Sequence, residues 1–310
     1  MTKEQVKGHG AILAATLIFG LNGPFSNDLL ATGILSPWVH MSARFGVSAV
    51  LFWIVSLFSK DKKLERKDLK MIFGAALAGV VFNQGGFAFA ISMTTPISQS
   101  LVATMGPIMA MILAAIFLKE PITRTKVFGV LLGFMGVLML LFSKENQGGS
   151  VSGWGIFLAL FATFNYTLYL TLFRNIILKY SPVELMKWLF LISFILVLPF
   201  SFRPIVQTPW STLSTTTLWE LGFVVIFSTF VAYFLLPIGQ KRLRPTVIAM
   251  YNYMSPIITT IVALAMGLEK FGYIKLIAGI LVILGVYTVT RSKSRQDTLR
   301  ERATTQSPSK

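Results

Sequence analysis

The 310-residue chain contains no cysteine and only two histidines, His9 and His40. The first absence excludes disulfides, thiol nucleophiles and cysteine metal sites, and leaves the redox compartment open. The second leaves no His-Glu-x-x-His pattern and no histidine pair to hold a metal. Acids are scarce too: twelve Asp and Glu stand against twenty-eight Lys and Arg. All twelve fall in tails, loops or near the ends of apolar runs, among them Asp28, Glu184 and Glu220. No carboxylate therefore marks a mid-membrane proton relay of the kind pumps carry. His40 is the one group inside an apolar run that titrates near neutral pH. With no metal set, no clustered carboxylates and no nucleophile beside a base, no cofactor is expected and an intramembrane enzyme is a remote alternative. An ion channel lacks its marks as well, since neither rings of charge nor repeated carbonyl filters are visible.

What the chain does have is apolar length. Hydrophobic residues make up 54% and charged ones 13%, about half the charged share of a soluble domain. The apolar residues fall into runs of about 20, enough to cross a hydrocarbon layer about 30 Å thick. Spans are predicted at roughly 10–30, 37–58, 71–92, 96–118, 123–142, 154–178, 183–203, 218–240, 245–268 and 271–290. The first apolar stretch resembles a secretory signal but runs on to Leu30, longer than a signal core, and reads as a spanning helix.

The net charge of +16 is topological rather than a nucleic-acid footprint, because Lys and Arg lie in the gaps between apolar runs. With the N-terminus in the cytoplasm, 22 of the 28 fall on that side and four (Lys144, Arg203, Lys270, Lys275) on the other, while Arg44 and Lys187 lie inside spans. That is the positive-inside pattern. It predicts a multi-pass protein of the cell membrane, the inner membrane of a bacterium, with both termini cytoplasmic. The lipid bilayer is its partner, and nucleic acid is not. The polar tail, 291–310, reads as solvated and disordered, with binding of anionic lipid as the alternative.

A duplication underlies the spans. Gly8-His9-Gly10-Ala11 aligns with Gly153-Trp154-Gly155-Ile156 at an offset of 145, which also brings Phe19 onto Phe164 and Ser36-Pro37 onto Ser181-Pro182. Further on the offset is 149, through Pro96 to Pro245, Pro107 to Pro256, Glu120 to Glu269 and Gly136 to Gly285. The predicted units are 8–142, a linker at 143–153, and 154–290, giving an all-α membrane fold of ten helices as two five-helix repeats (5+5). An odd number of spans per repeat inserts the second copy upside down, an arrangement many transporters use to build a site near the midplane.

The segments Pro96-Ile-Ser-Gln-Ser-Leu-Val-Ala-Thr-Met-Gly-Pro107, Phe117-Leu-Lys-Glu-Pro121 and Gly129 to Gly136 resemble the second half of an EamA domain of the drug/metabolite transporter (DMT) superfamily. Ser255-Pro256, Gly267-Leu-Glu269 and Gly279 to Gly285 repeat the pattern, with Lys270 in place of the proline and Ala278 and Val282 in place of Gly129 and Gly133. The resemblance spans about residues 8–290. It implies a ten-helix fold, a central cavity between the repeats, and export or exchange of small metabolites, commonly amino acids.

Polar groups inside spans are the candidates for substrate binding, because each must face a partner or a cavity. In the first repeat these are Asn22, which shares a face with Ser26, then His40, Arg44, Asn83, Gln84 and Gln99; in the second, Asn165 with Tyr169, then Trp188, Tyr233, Tyr251 and Asn252. For any amide or tyrosine an interhelical hydrogen bond is the competing role. Arg44 stands apart, since a cation at helix centre costs about 2.5–3.5 kcal/mol on insertion scales. A substrate carboxylate, snorkelling to the headgroups or a structural acceptor would each offset that cost. Pro107 and Pro256 are expected mid-span, as static bends or as flexing ones. Glu120 and Glu269, just before the next span, are expected to meet the free N–H groups of that helix start. The Gly129, Gly133, Gly136 stripe suits close packing within a monomer. A neutral, aromatic, amphiphilic cavity with one cation suits amino acids or related metabolites, with hydrophobic drugs or dyes as the alternative substrates.

Overall fold

The computed structural model describes residues 3–59, 62–117, 123–142, 152–240, 242, 251, 254–268, 270 and 272–290. All regular structure among them is helical. That follows from the composition, because in hydrocarbon a backbone must satisfy its own N–H and C=O groups and a helix does so within one segment. Six stretches are long and apolar enough to cross a membrane: Pro37–Leu57, Arg66–Ile91, Pro96–Phe117, Gly153–Leu172, Pro182–Gln207 and Thr215–Gly239. Shorter apolar helices follow at Met254–Ala265 and Tyr273–Thr288.

The first helix, α1 (Lys3–Ala31), begins ahead of the expected boundary, and α2 (Pro37–Leu57) starts where Ser36 caps it, its hydroxyl accepting from Val39 N–H at 3.4 Å. Ser181 does the same for α10 (Pro182–Gln207), which follows the short α9 (Arg174–Lys179), accepting from Glu184 N–H at 3.1 Å. Both helices carry proline in the first turn, where the missing N–H costs nothing. The aligned Ser-Pro pairs of the sequence are thus matched helix starts.

Two segments wind as the wider π-helix, and they match as well. Between α3 (Leu69–Ala76) and α4 (Asn83–Ile91) the chain runs as a π-helix over Leu77–Phe82; between α11 (Thr215–Val225) and α12 (Ala232–Gln240) it does so over Ile226–Val231. These segments sit 149 residues apart, the offset found in the sequence. A wider turn of this kind re-aims the side chains that follow it. Here those are Asn83 and Gln84 in one half and Tyr233 in the other.

The span expected at 96–118 is broken. α5 (Pro96–Ala103) ends in a turn at Thr104 and Met105, and α6 (Gly106–Phe117) begins anew. Pro107 is therefore the second residue of a helix rather than a mid-helix kink, and Pro256 is the third residue of α13 (Met254–Ala265). Proline near a helix start removes a donor that has no helical partner anyway, so Pro107 need not bend its helix; the residues just ahead of Met254 lie outside the described residues. The expected helix-start acids Glu120 and Glu269, residues 143–151 of the linker expected at 143–153, Asn252 and the tail beyond 290 lie outside the described residues.

Packing pairs helices across the halves. α2 lies along α10, and α7 (Arg124–Phe142) along α14 (Tyr273–Thr290); α1 meets α12 and α13, and α8 (Gly153–Leu172) meets α4, α5 and α6. Exchanging the halves carries α2–α10 and α7–α14 onto themselves, and α1–α12 and α1–α13 onto α8–α4 and α8–α6. Lipid offers apolar side chains no hydrophobic gain from one another, so close approach depends on small residues. A Cβ on Gly136 would meet Val282 at 2.7 Å and the Ala278 carbonyl at 2.8 Å, and one on Gly133 would meet Ile108 at 2.6 Å. The glycine stripe is internal packing. Along α2 and α10, Phe52 stacks on Phe190 (5.7 Å, 7°), and Phe190 meets Tyr233 edge-on at 5.5 Å, which fixes that phenol's ring.

Candidate functional site

A cavity of about 300 Å³ lies between the halves, lined from α1, α2, α4, α5, α8, α12 and α13. Along α1 it reaches from Ile12 to Gly23, about 16 Å at 1.5 Å per residue. Its size is at the low end for small-molecule sites, and its lining is of their usual kind, mostly apolar with a few convergent polar groups.

Arg44 is the only Lys or Arg among the described lining residues, and it is 3% exposed. Its Nε–H donates to Thr229 Oγ1 at 2.8 Å, and the Thr229 hydroxyl donates in turn to the Val224 carbonyl, five residues back, at 2.9 Å. That five-residue reach follows from the π-helical turn, so the irregular segment of the second half supplies the acceptor for a cation of the first. Among the described residues no carboxylate lies within ion-pair distance of Arg44. An isolated buried charge is costly unless something pairs with it.

Around it the other polar groups are unevenly satisfied. Both amide atoms of Gln84 are buried without a hydrogen-bond partner; the Tyr233 hydroxyl lies near them, but no bond of ordinary geometry joins the two. Asn83 is engaged, donating to the Ala162 carbonyl at 3.0 Å, and the Asn22 carbonyl accepts from the Ser26 hydroxyl at 3.4 Å. Gln99 lines the cavity from α5, and Pro256 with Thr259 from α13, where Thr259 also donates to the Gly20 carbonyl at 2.8 Å.

Of the substrate-binding candidates singled out by sequence, Asn22, Arg44, Asn83, Gln84, Gln99 and Tyr233 line this cavity, and His40, Asn165, Tyr169, Trp188 and Tyr251 do not. His40 is fully buried one turn from Arg44, with neither ring nitrogen partnered. Asn165 turns back onto its own helix, donating to the Phe161 carbonyl at 2.8 Å. Tyr169 packs on Gly79 of the first π segment, where a Cβ would come within 2.7 Å of its ring. Trp188 donates to Glu184 at 3.2 Å and meets Trp53 edge-on, and the Tyr251 hydroxyl pairs with His9 Nδ1 at 2.9 Å. Sequence reasoning missed Tyr166, Thr163 and Thr229. On α8 it favoured the polar pair at i and i+4, Asn165 and Tyr169, whereas the cavity face is Thr163, Tyr166 and Leu170. A hydroxyl that bonds within its own helix carries no sequence signal of what else it touches.

At one end of the bundle an ion-paired contact ties the halves together. Glu65 meets Lys62 at 2.6 Å, Lys67 at 2.8 Å and Lys179 at 3.0 Å. Lys179 also reaches Asp68 at 2.5 Å, and the Glu65 and Leu64 N–H groups donate to the Tyr180 hydroxyl and the Glu184 carboxylate. Deeper, Lys187 pairs with Glu184 at 2.6 Å and lies 4.7 Å from the Trp53 ring centre. Hydrogen bonds from Lys62, Lys67 and Lys179 hold the Glu65 carboxyl far below its ordinary 4.5, and that to Asp68 holds the Lys179 ammonium above its ordinary 10.5. The Glu65 contribution is present above about pH 4.5 and lost as pH falls through its lower folded value; that of Lys179 is present below about 10.5 and lost as pH rises through its higher one. The contact should therefore be insensitive to pH between about 5 and 9 but weakened by salt. Lys179→Met is expected to speed amide exchange at Leu64 and Glu65 several-fold; unchanged exchange would show that the lysine does not hold this end.

The sequence pattern of the EamA-like transporter family matches this chain twice, over residues 6–142 and 153–291. An uncharacterized transporter of Archaeoglobus fulgidus is 26% identical over 290 residues, covering 91% of this chain and 98% of the relative. The uncharacterized transporter YyaM of Bacillus subtilis is 25% identical, with 83% and 86% covered. One solved crystal structure superposes with a TM-score of 0.58 at 17% identity over 94% of this chain and 98% of that one, a likeness of fold alone.

Proposed function

The chain belongs to the EamA-like transporter family of the DMT superfamily, and from that premise we propose that it exports or exchanges small amphiphilic metabolites, amino acids and related carboxylated compounds, by alternating access around the central cavity. The observation that carries this reading is the buried Arg44, lining a cavity between the halves with no acid to pair it among the described residues. A second support is the doubled family match, together with π segments and Ser-Pro helix starts that recur at the sequence offsets. These favour ten spans as an inverted 5+5 pair, in which two similar halves can rock about a shared site. The excess of basic residues in the 60–70, 174–179 and 241–244 gaps supports an orientation with those segments and both termini in the cytoplasm and the chain in the inner membrane. The glycine-packed seam of α7 and α14 is filled internally, which favours a monomer.

Export of hydrophobic drugs or dyes is the competing reading. A largely apolar lining suits it, but a desolvated guanidinium does not. The test is purified protein in liposomes, screened against labelled amino acids, other organic acids, nucleosides and cationic dyes, with and without a pH gradient. Saturable movement of carboxylated solutes is expected, with exchange persisting without the gradient because no acid lies at mid-depth. Movement of cationic dyes alone would replace this reading with the drug exporter, and movement of nothing would end both.

A further inference from the structure

Among its described lining residues the cavity has a cationic side chain to meet an anion and no carboxylate to meet a cation. Among the described lining residues there is no Asp or Glu, and the sequence has no acid between Glu184 and Glu220 or between Glu220 and Glu269, which covers the stretch that leads into α13. The acid nearest along α1 is Asp28, six residues past Asn22, about 9 Å further along the helix axis. Against this, Arg44 engages one nitrogen, Nε, with Thr229, and Gln84 has a buried amide with both atoms unpartnered.

Nothing in the scaffold demands that cation. At the offset of 145, Arg44 corresponds to Leu189, which is 1% exposed in an apolar cluster, and at 149 Gln84 corresponds to Tyr233. The duplicated architecture thus tolerates leucine where the first half carries arginine. What distinguishes the first half is a guanidinium and an unsatisfied amide that line one cavity, both close to Tyr233, with apolar side chains such as Phe19, Phe87 and Leu236 in the same wall.

We infer that the preferred substrate is an organic monoanion whose carboxylate is its only charge, seated on the Arg44 guanidinium with the Gln84 amide donating beside it and an apolar body along Phe19, Phe87 and Leu236. The inference rests on the transport reading and narrows its substrate class. A monocarboxylate neutralises the buried cation and completes the amide's hydrogen bonding in one step. The matching zwitterion brings an ammonium one carbon from the carboxylate. That group must give up its water for neutral acceptors only, and it lies close enough to Arg44 to be repelled in a weakly screening interior. A cation without a carboxylate meets the repulsion and gains nothing.

Three probes that share one skeleton separate these cases: 3-phenylpropionate, phenylalanine and phenethylamine. Binding to the purified full chain in nanodiscs, read by tryptophan fluorescence and by thermal shift, is expected in that order, with the first at least tenfold tighter than the second and the third undetectable. Asn22→Asp, which adds a carboxylate to the cavity, is expected to weaken 3-phenylpropionate at least tenfold and to narrow or reverse its lead over phenylalanine. Gln84→Leu, which keeps the volume and removes the amide, is expected to weaken the carboxylate severalfold. Equal or tighter binding of phenylalanine or phenethylamine by the unmodified protein would overturn the inference, as would no binding of any of the three at millimolar concentration. Should the ranking hold while liposomes move no solute, the transport reading fails and the ligand class stands.

Discussion

Arg44→Met is expected to abolish carboxylate transport while leaving the empty protein at least as stable as before. The two halves of this expectation come from one geometry. A buried charge deprived of its partner costs about 2–5 kcal/mol, which converts to a loss of roughly 30-fold or more in carboxylate affinity at 1.4 kcal/mol per tenfold. In the empty protein the account runs the other way. Among the described residues, Arg44, 3% exposed, donates one hydrogen bond, to Thr229, and has no carboxylate within reach. Methionine keeps the length of the aliphatic stem, fills the space, and removes a desolvated cation whose cost at helix centre is about 2.5–3.5 kcal/mol. Losing the bond to Thr229 gives back about 1 kcal/mol of that, and the threonine keeps its own bond to Val224. Thermal unfolding in detergent, beside liposome uptake of a carboxylate and an uncharged solute, separates the outcomes. Undiminished carboxylate uptake would remove Arg44 from the site, and a melting point several degrees lower would make it a structural cation.

Why this arginine was legible in the sequence, and much of its surroundings was not, follows from what a sequence can encode. An ionised group in an apolar run is conspicuous because hydrocarbon makes it expensive. The same logic found Asn22, Asn83, Gln84, Gln99 and Tyr233, all on the cavity wall. It was blind to helix rotation on α8, where Asn165 satisfies itself against Phe161 and Tyr169 is spent on packing at Gly79. Polarity says that a residue needs a partner, not whether the partner is its own backbone, a neighbouring helix or a ligand.

The same limit applies to the fold. Apolar length and charge placed α2, α7, α10 and α14 within a few residues of their ends, because bilayer thickness sets a narrow range of lengths. The duplication was legible too, since Ser36 and Ser181 cap helices that open on proline. The two π-helical turns were not: Leu77–Phe82 and Ile226–Val231 contain no Pro, and their composition is that of any apolar helix. Their consequence is local and functional, since one sets the register of Asn83 and Gln84 and the other presents Thr229 to Arg44. Proline misled in the opposite direction. At Pro107 the expected mid-span kink is replaced by a helix start, because the turn at Thr104 and Met105 divides that span before its proline is reached.

Gly285→Val should cost more stability than any single change at the cavity, and it should leave substrate affinity alone. A Cβ at Gly285 would stand 2.6 Å from the Gly129 carbonyl oxygen, 2.6 Å from the Gly133 nitrogen and 3.0 Å from the Gly133 Cα. Every one of these is backbone, so no side chain can swing aside and α14 must move off α7. Overpacking a well-filled site costs about 1–3 kcal/mol when side chains can adjust, and here they cannot, so about 3 kcal/mol or more is expected, with valine's branch worse than alanine. Gly222 is the control, because nothing lies within 4 Å of its Cβ position and Gly222→Ala should gain up to about 1 kcal/mol from helix propensity alone. The melting order should be Gly222→Ala at or above the unmodified protein, then Gly285→Ala, then Gly285→Val. A Gly285→Val protein melting within two or three degrees of the unmodified one, on the order of 1 kcal/mol at most, would mean that the seam is looser than these distances imply. Neither α7 nor α14 contributes a described residue to the cavity wall. What folds of the Gly285 variants should therefore bind with an unchanged KM and show a maximal rate lowered in proportion to the folded fraction. Arg44→Met has the reverse signature, full folding and lost affinity, because the seam positions the two halves and the arginine meets what passes between them.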